Sequence, residues 1–224
     1  SALCALLFLP GLASIPPIDR DEARFMQATK QMLETGDLVH INFQDEPRNK
    51  KPVGIYWLQA LTVKISGTQD LTSAWPYRLP SVFGAWLAVL ALFRYGKELF
   101  NPKIGFMAAT MLATSFIVVV EAHIAKTDAV LLATVTIAML ILAKFYAGKD
   151  KSLPPLPVAL LFWAVLGIGL LVKGPLILMV VGATIAALCV VDRSAHWLKA
   201  LHAKSGIPVA LAVVLPWILA LSNG

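Results

Sequence analysis

Long apolar blocks separated by short polar breaks fill most of this 224-residue chain. They fall near 78–95, 104–122, 128–147, 156–172, 175–191 and 207–222. Each approaches the roughly 20 residues that an α-helix needs to cross a bilayer. Counting the apolar opening run from Ser1 to Ile15, the pattern predicts about seven spans. Helices are the expected form, because hydrocarbon leaves no water to satisfy backbone polar groups. The opening run has no basic segment before it and no cleavage site before Pro16-Pro17. It therefore reads as the tail of a first spanning helix rather than a signal peptide. Ser222-Asn223-Gly224 closes directly on another apolar run, and the chain reads as part of a longer protein.

One long stretch breaks this rhythm, from about 16 to 75. Asp19-x-x-Glu22 has the form of a capping box with Asp as the cap, and Asp21 and Glu22 suit a first helical turn. Phe25, Ala28, Met32 and Leu33 recur at helical spacing, and Gly36 is placed as a C′ stop. The spacing predicts a helix over 20–35 lying along the membrane interface. An irregular stretch then runs to about Arg48. Pro52 opens a second helix, whose Tyr56 and Trp57 suit the headgroup level. Gly67 to Ser73 forms a polar turn, and Pro76 and Pro80 punctuate the entry to the next span.

Composition agrees with a membrane bundle: 58% of residues are hydrophobic and 14% charged, against about 25% charged in soluble domains. Charge placement orients it. Arg94, Lys97, Lys103, Lys144, Lys149, Lys151, Arg193, Lys199 and Lys204 face only Glu98, Asp150 and Asp192 in alternate connections, which accounts for the whole net charge of +6. The positive-inside rule makes that face cytoplasmic. The 16–75 loop and the connections near 123–127 and 173–175 then face the periplasm or exterior. Cys4 and Cys189 lie in apolar runs and read as packing residues.

Several groups on the outer side can do chemistry. Asp21 and Glu22 serve either as plain caps or in a catalytic or metal-binding role. Arg24, three residues on from Asp21, shares its face, and a carboxylate beside a guanidinium suits a site that deprotonates a hydroxyl while holding an anion. Lys50-Lys51 ahead of Pro52 either attracts anionic lipid in general or binds the phosphate of a lipid-linked substrate. Asp128 stands at the mouth of an apolar run, where an ionised group needs a partner or a function. Lys173 precedes a Gly174-Pro175 break, and its plain role is snorkelling. Glu121 and His123 match no metal-ligand spacing, so no metal site is assigned, and the cofactor, a divalent cation included, is left unknown. No P-loop, dinucleotide glycine fingerprint, paired-cysteine zinc pattern or GxSxG occurs, and the scattered basic residues do not indicate nucleic acid.

With these residues assembled, the chain resembles the polytopic lipid-linked-sugar transferases of the GT-C fold, of the ArnT-like and protein-mannosyltransferase type. The matching features are Asp21-Glu22-Ala23-Arg24-Phe25, Met32-Leu33-x-Thr35-Gly36-Asp37, Lys51-Pro52 with Tyr56-Trp57-Leu58, Arg78-Leu79-Pro80, Asp128 and Lys173-Gly174, in that order. Where the family's element reads Glu-Lys-Pro, this chain has Lys50 in place of the Glu. The resemblance implies an all-α GT-C transmembrane bundle, with further spans and an extracytoplasmic domain beyond the matched part. It also implies an inverting transfer of a sugar from a polyprenyl-phosphate donor to a lipid A-like lipid, or to a protein or glycan, at the periplasmic face of the inner membrane. In that scheme Asp21 is the base or acceptor-orienting carboxylate, with Glu22 and Asp128 the other carboxylates of the site. Arg24, Lys51 and Lys173 hold the lipid phosphate. A transporter or flippase of an anionic or lipid-linked substrate is the competing reading, since intramembrane charges and a Gly-Pro break also mark substrate paths.

Overall fold

The computed structural model describes residues 1–48, 50–148 and 154–222. Lys149, Asp150 and Lys151, which the charge count uses, lie outside the described residues, as do Asn223 and Gly224. The architecture is an all-α bundle. Its helices are α1 (Ala2–Phe8), α2 (Arg20–Thr35), α3 (Gly54–Ser66), α4 (Trp75–Leu99), α5 (Pro102–Thr114), α6 (Phe116–Ala122), α7 (Asp128–Ala147), α8 (Leu156–Lys173), α9 (Leu176–Asp192) and α10 (Ala203–Ser222). A 3₁₀ segment, His196–Leu201, precedes α10.

Among the described residues, four helices are long and apolar enough to cross a membrane: α4, α7, α8 and α10. A fifth span is available if α5 and α6 count as one. These two are bent by 62°, whereas the sequence pattern reads 104–122 as one straight run. The break falls at Ser115, whose backbone is extended. Next to it, Thr114 turns its hydroxyl back onto the Thr110 carbonyl, the local competition that bends helices at Ser and Thr. α9 is apolar but shorter, and the helix in the opening run covers only Ala2–Phe8.

α4 packs most extensively against α7 and α5, and α8 against α10 and α7. Two close approaches fix this register. At Gly84 an added Cβ would lie 2.7 Å from the Ala129 carbonyl oxygen, and at Gly54 2.6 Å from that of Leu171. Any side chain there would push α4 off α7, or α3 off α8. The buried core joins Phe25, Met32 and Tyr56 of the loop helices to Ile141, Phe145, Phe162 and Val172 of the spans. The loop helices are thus packed onto the bundle. Phe83, Met107, Met111, Phe116, Ile117 and Val190 are exposed on the outside, where hydrocarbon accepts them.

The 16–75 stretch follows the predicted pattern closely. Asp19 caps α2 by accepting from the Asp21 amide at 2.6 Å. Gly36 ends α2 in the left-handed conformation, at φ 74°. Between α2 and α3 the irregular stretch holds a small antiparallel hairpin, β1 (Asn42–Phe43) with β2 (Glu46–Pro47). Gln31 of α2 clamps its turn, accepting from the Gln44 amide and donating to the Gln44 carbonyl.

Candidate active site at one end of the bundle

α7 begins and α8 ends at the same end of the bundle, because the two helices are antiparallel neighbours. Asp128 therefore sits in the first turn of α7 and Lys173 in the last turn of α8, each at the helix end whose dipole favours its charge. The two form a direct ion pair. At the opposite end Lys144 pairs with Glu98 at 2.6 Å, and Tyr146 donates to Asp192. The charged side chains thus segregate to the two ends.

The 123–127 connection, which carries the chain into Asp128, is gripped by buried polar side chains. Glu22 accepts from the Ala125 amide at 3.0 Å. Gln59 donates to the Ala125 carbonyl at 3.3 Å and accepts from Thr29 at 2.7 Å. The Ser81 hydroxyl reaches the carbonyls of Ile124 and Lys126. In water-poor surroundings backbone groups left unpaired are costly, so these contacts hold the turn in one conformation.

Glu22 and Arg78 meet at 2.8 Å, both fully buried. Arg78 also donates to the carbonyls of Leu12, Ile15 and Pro16, which tethers the segment leading into α2. The capping box therefore forms only by half: Asp19 caps, while Glu22 turns inward to Arg78. Nearer the surface, Lys126 binds Asp19 at 2.9 Å and approaches Glu121 at 3.9 Å. The Lys126 hydrogen bond, with the Asp21 amide, holds the Asp19 carboxyl below its ordinary range. Burial alone would lower the Lys126 pKa, but its carboxylate neighbours raise it.

Asp21 is exposed and Arg24 half-buried, and the two touch loosely, at 3.5 Å. Behind them Arg48 donates to the Tyr56 hydroxyl at 3.1 Å and lies over the Phe25 ring. Burial pushes the Tyr56 hydroxyl up, partly offset by the bond from Arg48. Among the described residues no hydrogen bond or ion pair joins Asp21 or Arg24 to Lys51 or Lys173.

Lys50, Lys51 and Lys173 instead share a cavity of about 340 Å³. Its other walls are Val39, Ile41, Pro52, Gly174, Pro175, Trp217 and Leu221. The Trp217 indole donates to the Val39 carbonyl and the Trp57 indole to that of Leu38, which ties the 37–41 loop to α10 and α3. The cavity is therefore lined by three lysines among mainly apolar residues. Sequence patterning singles out Lys50, Lys51 and Lys173. It names Arg78 only within the family resemblance and misses Lys126 and Gln59, whose partners lie far off in the chain, as well as Arg48, which bonds Tyr56 eight positions on. Among the described residues no group of three or more His, Cys, Asp or Glu side chains is placed to hold a metal ion.

The bundle has the fold of a polytopic membrane protein of the GT-C type. The chain belongs to the dolichyl-phosphate-mannose-protein mannosyltransferase family, whose model matches residues 50–219. It is similar to the undecaprenyl phosphate-alpha-4-amino-4-deoxy-L-arabinose arabinosyl transferase of Edwardsiella ictaluri, 27% identical over 96% of this chain and 38% of the relative. A second such transferase, from Pseudomonas fluorescens, is 29% identical over 89% of this chain and 36% of its own length. The fold matches the crystal structure of ArnT from Cupriavidus metallidurans bound to undecaprenyl phosphate, with a TM-score of 0.88 and 19% identity, over 99% of this chain and 40% of ArnT. The apo state of that protein gives a TM-score of 0.89. The chain thus spans about two fifths of the length of these relatives.

Proposed function

We propose that this chain builds the donor-phosphate side of a glycosyltransferase site, which moves a sugar from a polyprenyl-phosphate carrier to a lipid, protein or glycan acceptor with inversion. The observation that carries the reading is the cavity that gathers Lys50, Lys51 and Lys173 among apolar residues. A polyprenyl phosphate has the same division, an anionic head on a hydrocarbon tail. The relatives, named as transferases of an undecaprenyl-phosphate-linked aminoarabinose, support the same donor class.

In this scheme Lys51 and Lys173 hold the phosphate and stabilise it as it departs. Asp128 orients Lys173 through their ion pair. Asp21 accepts the proton of the acceptor hydroxyl or orients it, and Arg24 steadies the anionic side of that exchange. Glu22 is a positioning residue, buried against Arg78 and the Ala125 amide. The site lies at the outer, periplasmic face of an inner membrane, because the other end of the bundle carries the excess of Lys and Arg. The relatives' names point to an amino-pentose donor, and a lipid A-like lipid is the acceptor that the family resemblance suggests first.

The test is transfer of radiolabelled sugar from polyprenyl phosphate by the full-length protein in membranes. Lys51→Ala should abolish most transfer with expression unchanged. Transfer by Lys51→Ala at the wild-type rate would contradict the reading.

A further inference from the structure

The charges around the cavity do not balance. Among the described residues, the only ion pair made by Lys50, Lys51 or Lys173 is the one between Lys173 and Asp128. Lys50 and Lys51 face the cavity uncompensated, which leaves two positive charges against mainly apolar walls. Lys50 is exposed and Lys51 and Lys173 are half-buried, so the apolar walls weaken solvent screening without removing it, and a ligand of matching charge is favoured.

This inference rests on the donor reading above. A phosphodiester, the form of a lipid-phosphate-linked sugar, carries one negative charge. A phosphate monoester has a second pKa near about 6 and carries close to two at neutral pH. We infer that the cavity is matched to the monoester dianion, the spent carrier lipid, rather than to the donor, and that Lys50 supplies the charge that makes the difference.

The transfer chemistry gives this match a consequence. The bond from the sugar's anomeric carbon to the phosphate oxygen breaks, and its electron pair stays on that oxygen. The acceptor oxygen bonds to the anomeric carbon, and the acceptor's proton passes to a carboxylate. The phosphate goes from one negative charge to two as the sugar leaves. The attraction of the cavity therefore grows along the reaction, which stabilises the transition state more than the bound donor. The same attraction retains the product, so the spent carrier lipid is a strong product inhibitor.

The experiment uses the full-length protein in nanodiscs and two probes, a polyprenyl monophosphate and its methyl diester, each with wild type and Lys50→Gln. Lys50 is exposed at the surface, so its replacement leaves the fold intact. At pH near 7.5 the wild type should bind the monoester about tenfold more tightly than the diester. That preference should shrink below about pH 6, where the monoester takes up its second proton. The diester does not titrate in this window and reports any change in the protein's own groups. Lys50→Gln should lose most of the preference while binding the diester within about threefold of wild type. Equal binding of the two lipids by wild type, or an undiminished preference in Lys50→Gln, overturns the inference and leaves the donor pocket standing. Binding of neither lipid overturns the pocket itself.

Discussion

Glu22 and Arg78 stand 56 residues apart in sequence and meet at 2.8 Å with no exposure to solvent. The pair joins four segments: α2, α4, the 12–16 stretch through its carbonyls, and the 123–127 turn through Ala125. Removing one partner leaves the other charged, buried and unpaired, which typically costs about 3–5 kcal/mol. Arg78→Ala should therefore lose most of its folded yield in detergent and melt at a lower temperature than wild type. Glu22→Gln with Arg78→Met removes both charges and should recover much of that loss. A single Arg78→Ala with an unchanged melting profile would show that the pair is not a structural node.

Lys126 and Asp19 make a second, more exposed link. The Asp19 pKa lies below its ordinary value of 3.8, with the Lys126 hydrogen bond as the largest cause. A carboxyl whose pKa is lower in the folded than in the unfolded protein contributes stability above the unfolded pKa. That contribution is lost as pH falls through the folded value. Asp37 shifts in the same direction, held by the backbone amides of His40 and Val39, so acid lability is shared. The difference between proteins isolates the pair: wild type should lose more stability than Lys126→Met between about pH 5 and pH 3. Parallel acid-melting curves would assign the link no role in stability.

Gly54 lets α3 rest on the backbone of α8, two residues from Lys173. Gly54→Ala would force the two helices apart and move Lys51 relative to Lys173. Overpacking of this kind costs about 1–3 kcal/mol. Binding of a polyprenyl phosphate should weaken more in this variant than in Gly182→Ala, where an added Cβ meets nothing within 4 Å. Equal binding by the two variants would uncouple the α3–α8 contact from the cavity.

How much of this was legible in the sequence follows from the range of each interaction. α2 could be read residue by residue, from the Asp19 cap to the Gly36 stop, because caps and helical spacing act within a few positions. The clustering of Asp128 and Lys173 followed from counting helices of alternating direction. Glu22 reads locally as half of a capping box, and only the tertiary fold turns it to Arg78. The Ser115 bend is hidden by apolar residues on both sides, and hydropathy cannot distinguish a straight span from a bent one. The 42–47 hairpin escapes notice because its strands are two residues long and its turn is held by Gln31 from another element.

The assignment of faces has its own check. A single cysteine at Asp45, in the exposed hairpin turn, should react with a membrane-impermeant maleimide added outside intact spheroplasts. One at Lys204, at the start of α10, should react only after the membrane is opened. The reverse labelling pattern would invert the proposed topology.

The most direct test of the central claim compares wild type with Asp21→Asn in the full-length protein, following transfer of labelled sugar from polyprenyl phosphate to lipid and protein acceptors. Asp21 is exposed and paired only loosely with Arg24, so the variant should fold normally. Transfer should fall by about 10²-fold or more, as expected for loss of a general base, at equal expression. Equal rates from the two proteins would contradict the catalytic role of Asp21 and, with it, the placement of the acceptor on this face.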